Sequence, residues 1–124
     1  MLDTDACIEV IRGNPKPVED YRGARFVISS ITRFEILSGL KKRKSRKVES
    51  RAKAFLQSVE TLSFDDDAAG KAAIVRIALE AKGKPIAVYD TLLAGHALAL
   101  GVPILTGNVS EFGRIKGLNV LGWR

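Results

Sequence analysis

The sequence predicts an α/β domain, in which a mostly parallel β-sheet is covered by helices on both faces. Short β-prone runs alternate with longer amphipathic or apolar stretches, which is typical of parallel strands joined by helical crossovers. A length of 124 residues suits one compact domain, 1–124, and no repeat, low-complexity tract or linker divides it. A hydrophobic share of 46% provides enough apolar side chains for a buried core and argues against disorder.

The first half of the chain is expected to form strands and helices in alternation. In chain order they are a strand at 1–3, a helix at 5–12, a helical turn at 17–21, a strand at 26–28 and a helix at 31–40. The first strand is shorter than the usual ~5–6 residues, so we expect that residues have been lost upstream of it. A Gly-Asn-Pro turn at 13–15 ends the first helix, and Ser29 or Ser30 caps the helix at 31–40.

The second half continues the alternation. In chain order it contains a helix at 46–60, a strand at 61–64, a helix at 65–82, a helix at 89–100, a strand at 103–106, a helical turn at 108–112 and a strand at 118–121. Three aspartates, 65–67, open the third of these elements, and capping and the helix dipole explain them without a catalytic role. The same helix carries apolar positions that include Ile77 and Leu79.

The helix at 89–100 is apolar or small on almost every face, so we expect it to be buried. One carboxylate, Asp90, lies at its start, where unpaired N–H groups and the positive end of the helix dipole stabilise a negative charge. Helix capping alone would explain this residue. A functional role is favoured because Asp3, Glu35 and Asn108 also follow apolar runs or lie just inside the next helix.

These polar residues are predicted to meet at one edge of the sheet, since ligands of open α/β sheets bind outside the carboxyl ends of the strands. Asp3 ends the first strand, and Thr106 ends the fourth, with Asn108 two residues later. Glu35 lies one turn into a helix, on what we expect to be its inward stripe of small residues. Converging carboxylates repel one another unless a cation lies between them, and oxygen ligands suit Mg²⁺ or Mn²⁺. With the positive net charge, this predicts phosphodiester chemistry on a nucleic acid.

The net charge is +6, with a pI near 9.7, which suits a polyanionic partner. Much of the charge lies in one run, whose basic residues are Lys41, Lys42, Arg43, Lys44, Arg46 and Lys47. This run is either a solvated loop between helices or a contact for phosphates or an acidic partner. It contains no aromatic residue, so a base-stacking surface is not indicated.

Four motifs carry a resemblance to a known family. They are Leu-Asp-Thr-Asp at 2–5, Ser-Ser-Ile-Thr-Arg-Phe-Glu-Ile-Leu-Ser-Gly at 29–39, Tyr-Asp-Thr-Leu-Leu-Ala-Gly-His-Ala at 89–97 and Leu-Thr-Gly-Asn-Val-Ser-Glu-Phe at 105–112. In this order and at these separations they resemble the motifs of PIN-domain ribonucleases, with the greatest likeness to the VapC toxins of bacterial VapBC toxin–antitoxin pairs. The likeness extends over essentially the whole chain.

The resemblance implies a PIN-like (Rossmann-like) single domain, with about five strands and an acidic pocket for Mg²⁺ or Mn²⁺. It places the catalytic residues at Asp3, Glu35, Asp90 and Asn108, of which the three acids are the metal ligands. Asn108 occupies a position that is often aspartate in the family. An amide supplies no charge, so the number of ions, one or two, stays open.

Five further residues are candidates for the surroundings of the metal ligands. They are Asp5, Thr106, Glu111, Thr4 and Ser30. Asp5 or Glu111 would help to position the attacking water, but Asp5 would equally cap the first helix. Asn108 and Glu111 have the spacing of a capping box, which offers a structural explanation for both. Thr4 and Ser30 are expected to be caps or hydrogen-bond donors behind the ligands.

Four other residues are expected to be structural. His96 lies nearly two helical turns beyond Asp90, so packing or a subunit contact is favoured over general-base catalysis. Cys7 is expected to be a small buried side chain on the first helix. Trp123 and Tyr89 are expected to lie in the core or at an interface.

The resemblance implies a metal-dependent endoribonuclease toxin that hydrolyses RNA, either tRNA or rRNA, and is neutralised by a VapB-like antitoxin. It also implies a homodimer that forms a heterotetramer or a larger assembly with the antitoxin. No run approaches the ~20 apolar residues of a membrane span, and no secretory leader is visible, so a bacterial cytoplasmic location is expected. Two alternatives stay open, which are a non-catalytic PIN-like interaction module and a haloacid-dehalogenase-type phosphatase with Asp3 as nucleophile.

Overall fold

The computed structural model describes residues 1–42 and 45–123, which form seven helices and four short strands. The helices are α1 (Thr4–Ile11), α2 (Lys16–Glu19), α3 (Ser30–Lys42), α4 (Arg46–Ser58), α5 (Asp66–Ala81), α6 (Val88–Leu100) and α7 (Val109–Phe112). The strands are β1 (Val27–Ser29), β2 (Glu60–Leu62), β3 (Ile104–Thr106) and β4 (Val120–Gly122). None of the helices described is long and apolar enough to cross a membrane.

The strands form two parallel pairs, β1 with β2 and β3 with β4. Leu2 joins the pairs, because its N–H donates to the Val27 carbonyl at 3.0 Å and it forms a parallel bridge with Leu105. The order across the sheet is therefore β2, β1, Leu2, β3, β4, all parallel. This confirms the predicted α/β class, but the expected first strand is reduced to a one-residue bridge between neighbouring strands.

The sheet has a hydrophobic core on each face, as predicted for parallel strands covered by helices. Neighbouring strand residues alternate between the two cores, so Ile104 packs with α5 and α6, whereas Leu105 packs with α1, α3 and α4. Val27 and Ile28 alternate in the same way. Because each central strand is buried on both faces, its carboxyl end is where polar side chains can reach solvent.

Helix α6 packs closely on α5 because of Gly95. A methyl group at this position would lie 2.4 Å from the backbone N and Cα of Ala72. The left-handed Gly101, with φ +67°, then ends α6. The first turn of α6 carries Asp90, whose charge interacts with that of Asp3 at the sheet edge.

The predicted burial of α6 is confirmed for its central part and wrong at its ends. The ends of α6 project beyond the core, so that Val88, Tyr89 and Leu100 are at least 42% exposed, and only its central part is fully buried. Of the apolar residues on α5, Leu79 is buried, whereas Ile77 is 64% exposed. The stripe that faces α6 is made by Ala68, Ala72, Val75 and Leu79.

Candidate active site

Asp3 lies at the centre of an acidic cluster at the carboxyl edge of the sheet and is only 2% exposed. Its Oδ1 accepts a hydrogen bond from the Ala6 N–H at 2.9 Å, so Asp3 is the N-cap of α1. Its Oδ2 accepts from the Thr106 hydroxyl at 2.5 Å. Burial raises the pKa of Asp3 to about 6, although these two hydrogen bonds act in the opposite direction. The carboxylate is thus held rigidly in a site that resists its ionisation.

Glu35 reaches the cluster from α3 and is half-buried. Its Oε1 accepts a hydrogen bond from the Thr4 hydroxyl at 2.6 Å, and Thr4 also lies 3.1 Å from the hydroxyl of the fully buried Thr32. Burial raises the pKa of Glu35, the Thr4 hydrogen bond lowers it, and Asp5 raises it further. The predicted inward stripe is wrong, because Thr32 and Ile36 are the buried residues of α3 and Glu35 lies at their margin.

Asp90 lies in the first turn of α6, but it is not the helix cap. The N-cap is Ala87, and the Asp90 carboxylate makes no hydrogen bond to any residue of 1–42 or 45–123. Burial raises the pKa of Asp90 to about 6, and the neighbouring charges that raise it further are all carboxylates. They belong to Asp3, Asp5, Glu35 and Glu111. Capping therefore does not explain this residue, whereas its place in the acidic cluster does.

Asn108 and Glu111 close the cluster on the β4 side, but they do not form a capping box. The Asn108 amide donates to Oε2 of Glu111, and the Asn108 N–H donates to the Thr106 hydroxyl at 2.9 Å. Thr106 therefore accepts from Asn108 and donates to Asp3. The Asn108 N–H, which a capping box would direct to Glu111, is directed to Thr106 instead, and the Asn108 side chain does not cap α7.

The cluster suits a divalent cation. Its donors are carboxylate oxygens and one amide oxygen, the ligands preferred by Mg²⁺ and Mn²⁺. Among the described residues, no cation contributes to the pKa shifts of Asp3, Glu35 and Asp90, so an ion would relieve their repulsion. Within the described ranges, no three acidic, His or Cys side chains converge closely enough to bind one ion directly. Asp3, Glu35 and Asp90 therefore stay predicted metal ligands, and in this arrangement at least one of the three carboxylates would reach the ion through water.

The remaining candidates near the cluster take different places. Asp5 is exposed in the first turn of α1 and does not cap it, since Asp3 does. Thr4 donates to Glu35, as expected of a residue behind the ligands. Ser30 instead accepts from the Phe64 N–H at 3.0 Å, and Ser29 accepts from the Ile31 N–H at the start of α3. Ser30 therefore anchors the loop after β2 and does not touch the acids.

The basic run lies at the junction of α3 and α4. Its described members are all exposed and, in this part of the chain, form no ion pair. They are Lys41, Lys42, Arg46 and Lys47. Arg43 and Lys44 lie outside the described residues. The exposed members are available to a polyanion, and their role as a contact stays a prediction.

The structural expectations for His96 and Cys7 are confirmed. His96 is 1% exposed, its Nδ1 lies 2.8 Å from the Ser29 hydroxyl, and Phe64 packs against it edge to face. Burial lowers the pKa of His96. Cys7 is fully buried on α1, and burial raises the pKa of its thiol. Neither side chain is positioned for acid–base catalysis at the cluster.

Trp123 and Tyr89 differ from each other. Trp123 packs in the core with α1 and α4, as expected. Tyr89 is 44% exposed and contacts the exposed Phe34, with ring centroids 5.9 Å apart, so it is not a core residue. A place for Tyr89 at an interface stays a prediction.

Sequence reasoning missed Thr32. This residue is fully buried, and its only side-chain hydrogen bond within the described residues is to Thr4. The sequence feature that could have identified Thr32 is its position three residues before Glu35, because residues at this spacing lie on the same side of a helix.

Comparisons with known proteins agree with this geometry. The family model described as PIN domain matches residues 1–118. The tRNA(fMet)-specific endonuclease VapC of Salmonella typhimurium is 34% identical over 127 residues, which cover 99% of this chain and 96% of that protein. Among solved structures, VapBC2 of Rickettsia felis bound to a promoter DNA fragment has a TM-score of 0.91 and 30% identity, covering 100% of this chain and 98% of that chain. The DNA-bound VapBC of Salmonella typhimurium has a TM-score of 0.87 and 35% identity, covering 100% and 97%.

Proposed function

This chain belongs to the PIN-domain family as a ribonuclease of the VapC kind, and from that premise we propose that it hydrolyses RNA phosphodiester bonds with Mg²⁺ or Mn²⁺. Membership confirms the resemblance of the four motifs. The observation that carries the metal proposal is the Asp90 carboxylate. It has no hydrogen-bond partner in the described chain, and the charges that shift its pKa are all negative. A divalent cation is the partner that such a carboxylate lacks.

In this proposal Asp3 and Asp90 hold the ion and Glu35 completes the set. When bound, Mg²⁺ or Mn²⁺ lowers the pKa of a water and neutralises charge that builds on the phosphate oxygens. The chain itself fixes the donors, because Ala6 and Thr106 each hold one oxygen of Asp3. Such preorganisation matters since the ligands need no rearrangement when the substrate binds.

Asn108 and Glu111 would act on the water side of the cluster. Glu111 accepts the Asn108 amide through Oε2, which leaves Oε1 available to orient a water molecule. The Asn108 side-chain oxygen is a neutral acceptor at the position where the family resemblance leads us to expect aspartate. We infer that Asn108 fixes Glu111 and contributes less to cation binding than the three acids do.

The substrate is proposed to be a structured RNA, tRNA or rRNA. A relative that is 34% identical is named as a tRNA(fMet)-specific endonuclease, which favours tRNA. Four exposed side chains at the α3–α4 junction would bind phosphates on either side of the cleaved bond, namely Lys41, Lys42, Arg46 and Lys47. We propose that the protein works in the bacterial cytoplasm, where such an RNA is found.

The partner is a VapB antitoxin, because the solved relatives are VapBC complexes. We propose that the chain forms a homodimer, and that two toxin and two antitoxin chains form a heterotetramer or a larger assembly. The antitoxin would cover the acidic cluster and so prevent RNA from reaching it.

The test is cleavage of a mixed cellular RNA pool by purified protein with Mg²⁺, with Mn²⁺ and with EDTA, beside Asp90→Asn. Asp67→Asn is the matched control, since Asp67 is an exposed aspartate in the first turn of α5, outside the cluster. Discrete cuts that disappear with EDTA and with Asp90→Asn, but persist with Asp67→Asn, are expected. Cuts that survive Asp90→Asn would contradict the site. Binding of Mn²⁺ without cleavage would indicate an interaction module, and turnover of small phosphate esters would indicate a phosphatase.

A further inference from the structure

Three side chains form a buried hydrogen-bonded chain that ends at the acidic cluster. Thr32 is 0% exposed and lies 3.1 Å from the Thr4 hydroxyl, and Thr4 lies 2.6 Å from Oε1 of Glu35. Thr32 and Glu35 are one helical turn apart on α3, whereas Thr4 opens α1. These hydrogen bonds therefore connect α1 to α3 at Thr4, the residue directly after Asp3.

The direction of these hydrogen bonds follows from proton count. A threonine hydroxyl carries one proton, so Thr4 can donate to only one of its two partners. The shorter contact, to the Glu35 carboxylate, is the charge-assisted one and takes that proton. The Thr32 hydroxyl must then donate to Thr4. Since Thr32 has no other side-chain hydrogen bond in the described chain, its proton is available for this purpose.

We propose that Thr32 is a positioning residue for Glu35. Its buried hydroxyl donates to Thr4, which commits the Thr4 proton to Glu35 and fixes the Glu35 carboxylate beside Asp3 and Asp90 for metal binding. The inference rests on the proposed function, because it assigns Glu35 to the metal. A glutamate has three rotatable side-chain bonds, and Thr4 is the only residue in 1–42 or 45–123 that hydrogen-bonds this carboxylate.

Thr32 cannot act by touching RNA, because it is completely buried. Its removal should therefore change metal binding and turnover and leave the affinity for RNA unchanged. Groups that orient metal ligands from behind typically contribute 10–100-fold to metal affinity. A purely structural threonine would change stability without this selective loss.

The experiment measures Mn²⁺ binding to metal-free protein by calorimetry for wild type, Thr32→Val and Thr32→Ser. Valine has nearly the same shape without the hydroxyl, and serine keeps the hydroxyl. We expect Thr32→Val to weaken Mn²⁺ binding about 10-fold or more and Thr32→Ser to restore it. In RNA cleavage, Thr32→Val should lower kcat with KM unchanged. Thr61→Val is the control, since it makes the same replacement at a half-buried threonine of β2 whose hydroxyl accepts from Arg33, and it leaves Thr32, Thr4 and Glu35 intact.

Three further measurements distinguish a positioning role of Thr32 from a general loss of folding and from a failure of the metal proposal. Thr4→Val interrupts the same chain at another point and should reproduce the loss, which covers the case in which Thr32→Val fails to fold. In a Glu35→Gln background, Thr32→Val should have little further effect on Mn²⁺ binding. Urea unfolding of the same metal-free variants should show a coupling between positions 32 and 35.

Unchanged Mn²⁺ binding by Thr32→Val would overturn the inference, and so would a Thr32→Ser variant as weak as the valine variant. A loss with Thr4→Val alone would assign the positioning role to Thr4 and remove Thr32 from it. If wild type neither binds Mn²⁺ nor cleaves RNA, the proposed function fails. The unfolding cycle then decides the hydrogen-bonded chain separately, since zero coupling would overturn it.

Discussion

Replacing Asp90 by asparagine should stabilise the metal-free protein while abolishing its activity. The Asp90 carboxylate is half-buried among other carboxylates, and its pKa is raised to about 6 from an ordinary value of 3.8. A group whose pKa is raised on folding favours the folded state in its protonated form. Its contribution is therefore complete below about pH 4 and is lost as the pH rises through about 6.

The size of the effect follows from this shift. In a fully desolvated site, two pKa units would correspond to about 3 kcal/mol. Because Asp90 is partly exposed, solvent screening reduces this to about 1 kcal/mol. The neutral amide removes the repulsion from the other carboxylates. The free energy of unfolding of metal-free Asp90→Asn should therefore exceed that of wild type by about 1 kcal/mol at pH 7.5, and the two values should be equal near pH 4.

Bound metal should make wild type more stable than Asp90→Asn. A cation present at 100 times its dissociation constant stabilises the folded wild type by about 2.7 kcal/mol, and the variant should gain far less. The assay is urea unfolding followed by Trp123 fluorescence, at pH 4 and pH 7.5 in EDTA and at pH 7.5 in Mn²⁺. Asp67→Asn, at the start of α5, serves as the matched control and should lose a few tenths of a kcal/mol at pH 7.5 through the helix dipole.

One result would refute the reasoning. If Asp90→Asn is less stable than wild type at pH 7.5 in EDTA, then stabilisation by the N-terminus of α6 outweighs the repulsion from the other carboxylates. Asp90 would in that case be a structural residue of α6, and equal Mn²⁺ stabilisation of both proteins would support the same conclusion.

Three other changes have expected outcomes. Gly95→Ala should destabilise the protein by about 3 kcal/mol, because the new methyl would overlap the α5 backbone, whereas Gly70→Ala has open space and should be neutral or stabilising in thermal unfolding. Thr106→Val should lower RNA cleavage about 10–100-fold, because Oδ2 of Asp3 loses the hydrogen bond that orients it. Unchanged cleavage would remove Thr106 from the site. Lys41→Ala with Lys42→Ala should weaken RNA binding and reduce the slope of log affinity against log salt by about 1.4–1.8, the range between single-stranded and duplex nucleic acid. Lys71→Ala, at an exposed lysine of α5, should leave this slope unchanged.

The sequence by itself determined the α/β class and the acids of the candidate site. Alternation of β-prone and helical segments reports burial at the level of whole elements, which is why the parallel sheet could be predicted. Asp3, Glu35 and Asp90 could be predicted because each follows an apolar run in a motif of a known family. The caps at Asp3 and Asp65 are equally local, since a side-chain oxygen accepts from an N–H three residues later.

Errors arose where a local pattern allowed two partners. Asn108 and Glu111 have the spacing of a capping box, yet Thr106 takes the backbone N–H that the box would use. Likewise, the sequence of α5 offers both Ile77 and Leu79 as apolar residues, but the close approach of α6 at Gly95 buries a face that includes only Leu79 of these two. In both cases a competing tertiary contact decided between arrangements of similar local energy.

Only the tertiary structure decided which side chains support the acids. Thr106 and Asp3 are 103 positions apart, and Thr4 and Glu35 are 31 apart, so no helical or strand periodicity relates them. Leu2 became a single bridging residue because β1 and β3 lie on either side of it. The buried hydroxyls of Thr106 and Thr4 are hydrogen-bonded because a buried polar group without a hydrogen-bond partner destabilises the folded state. Periodicity in a sequence fixes which face of an element is buried, whereas the partner across the sheet is fixed when the elements pack.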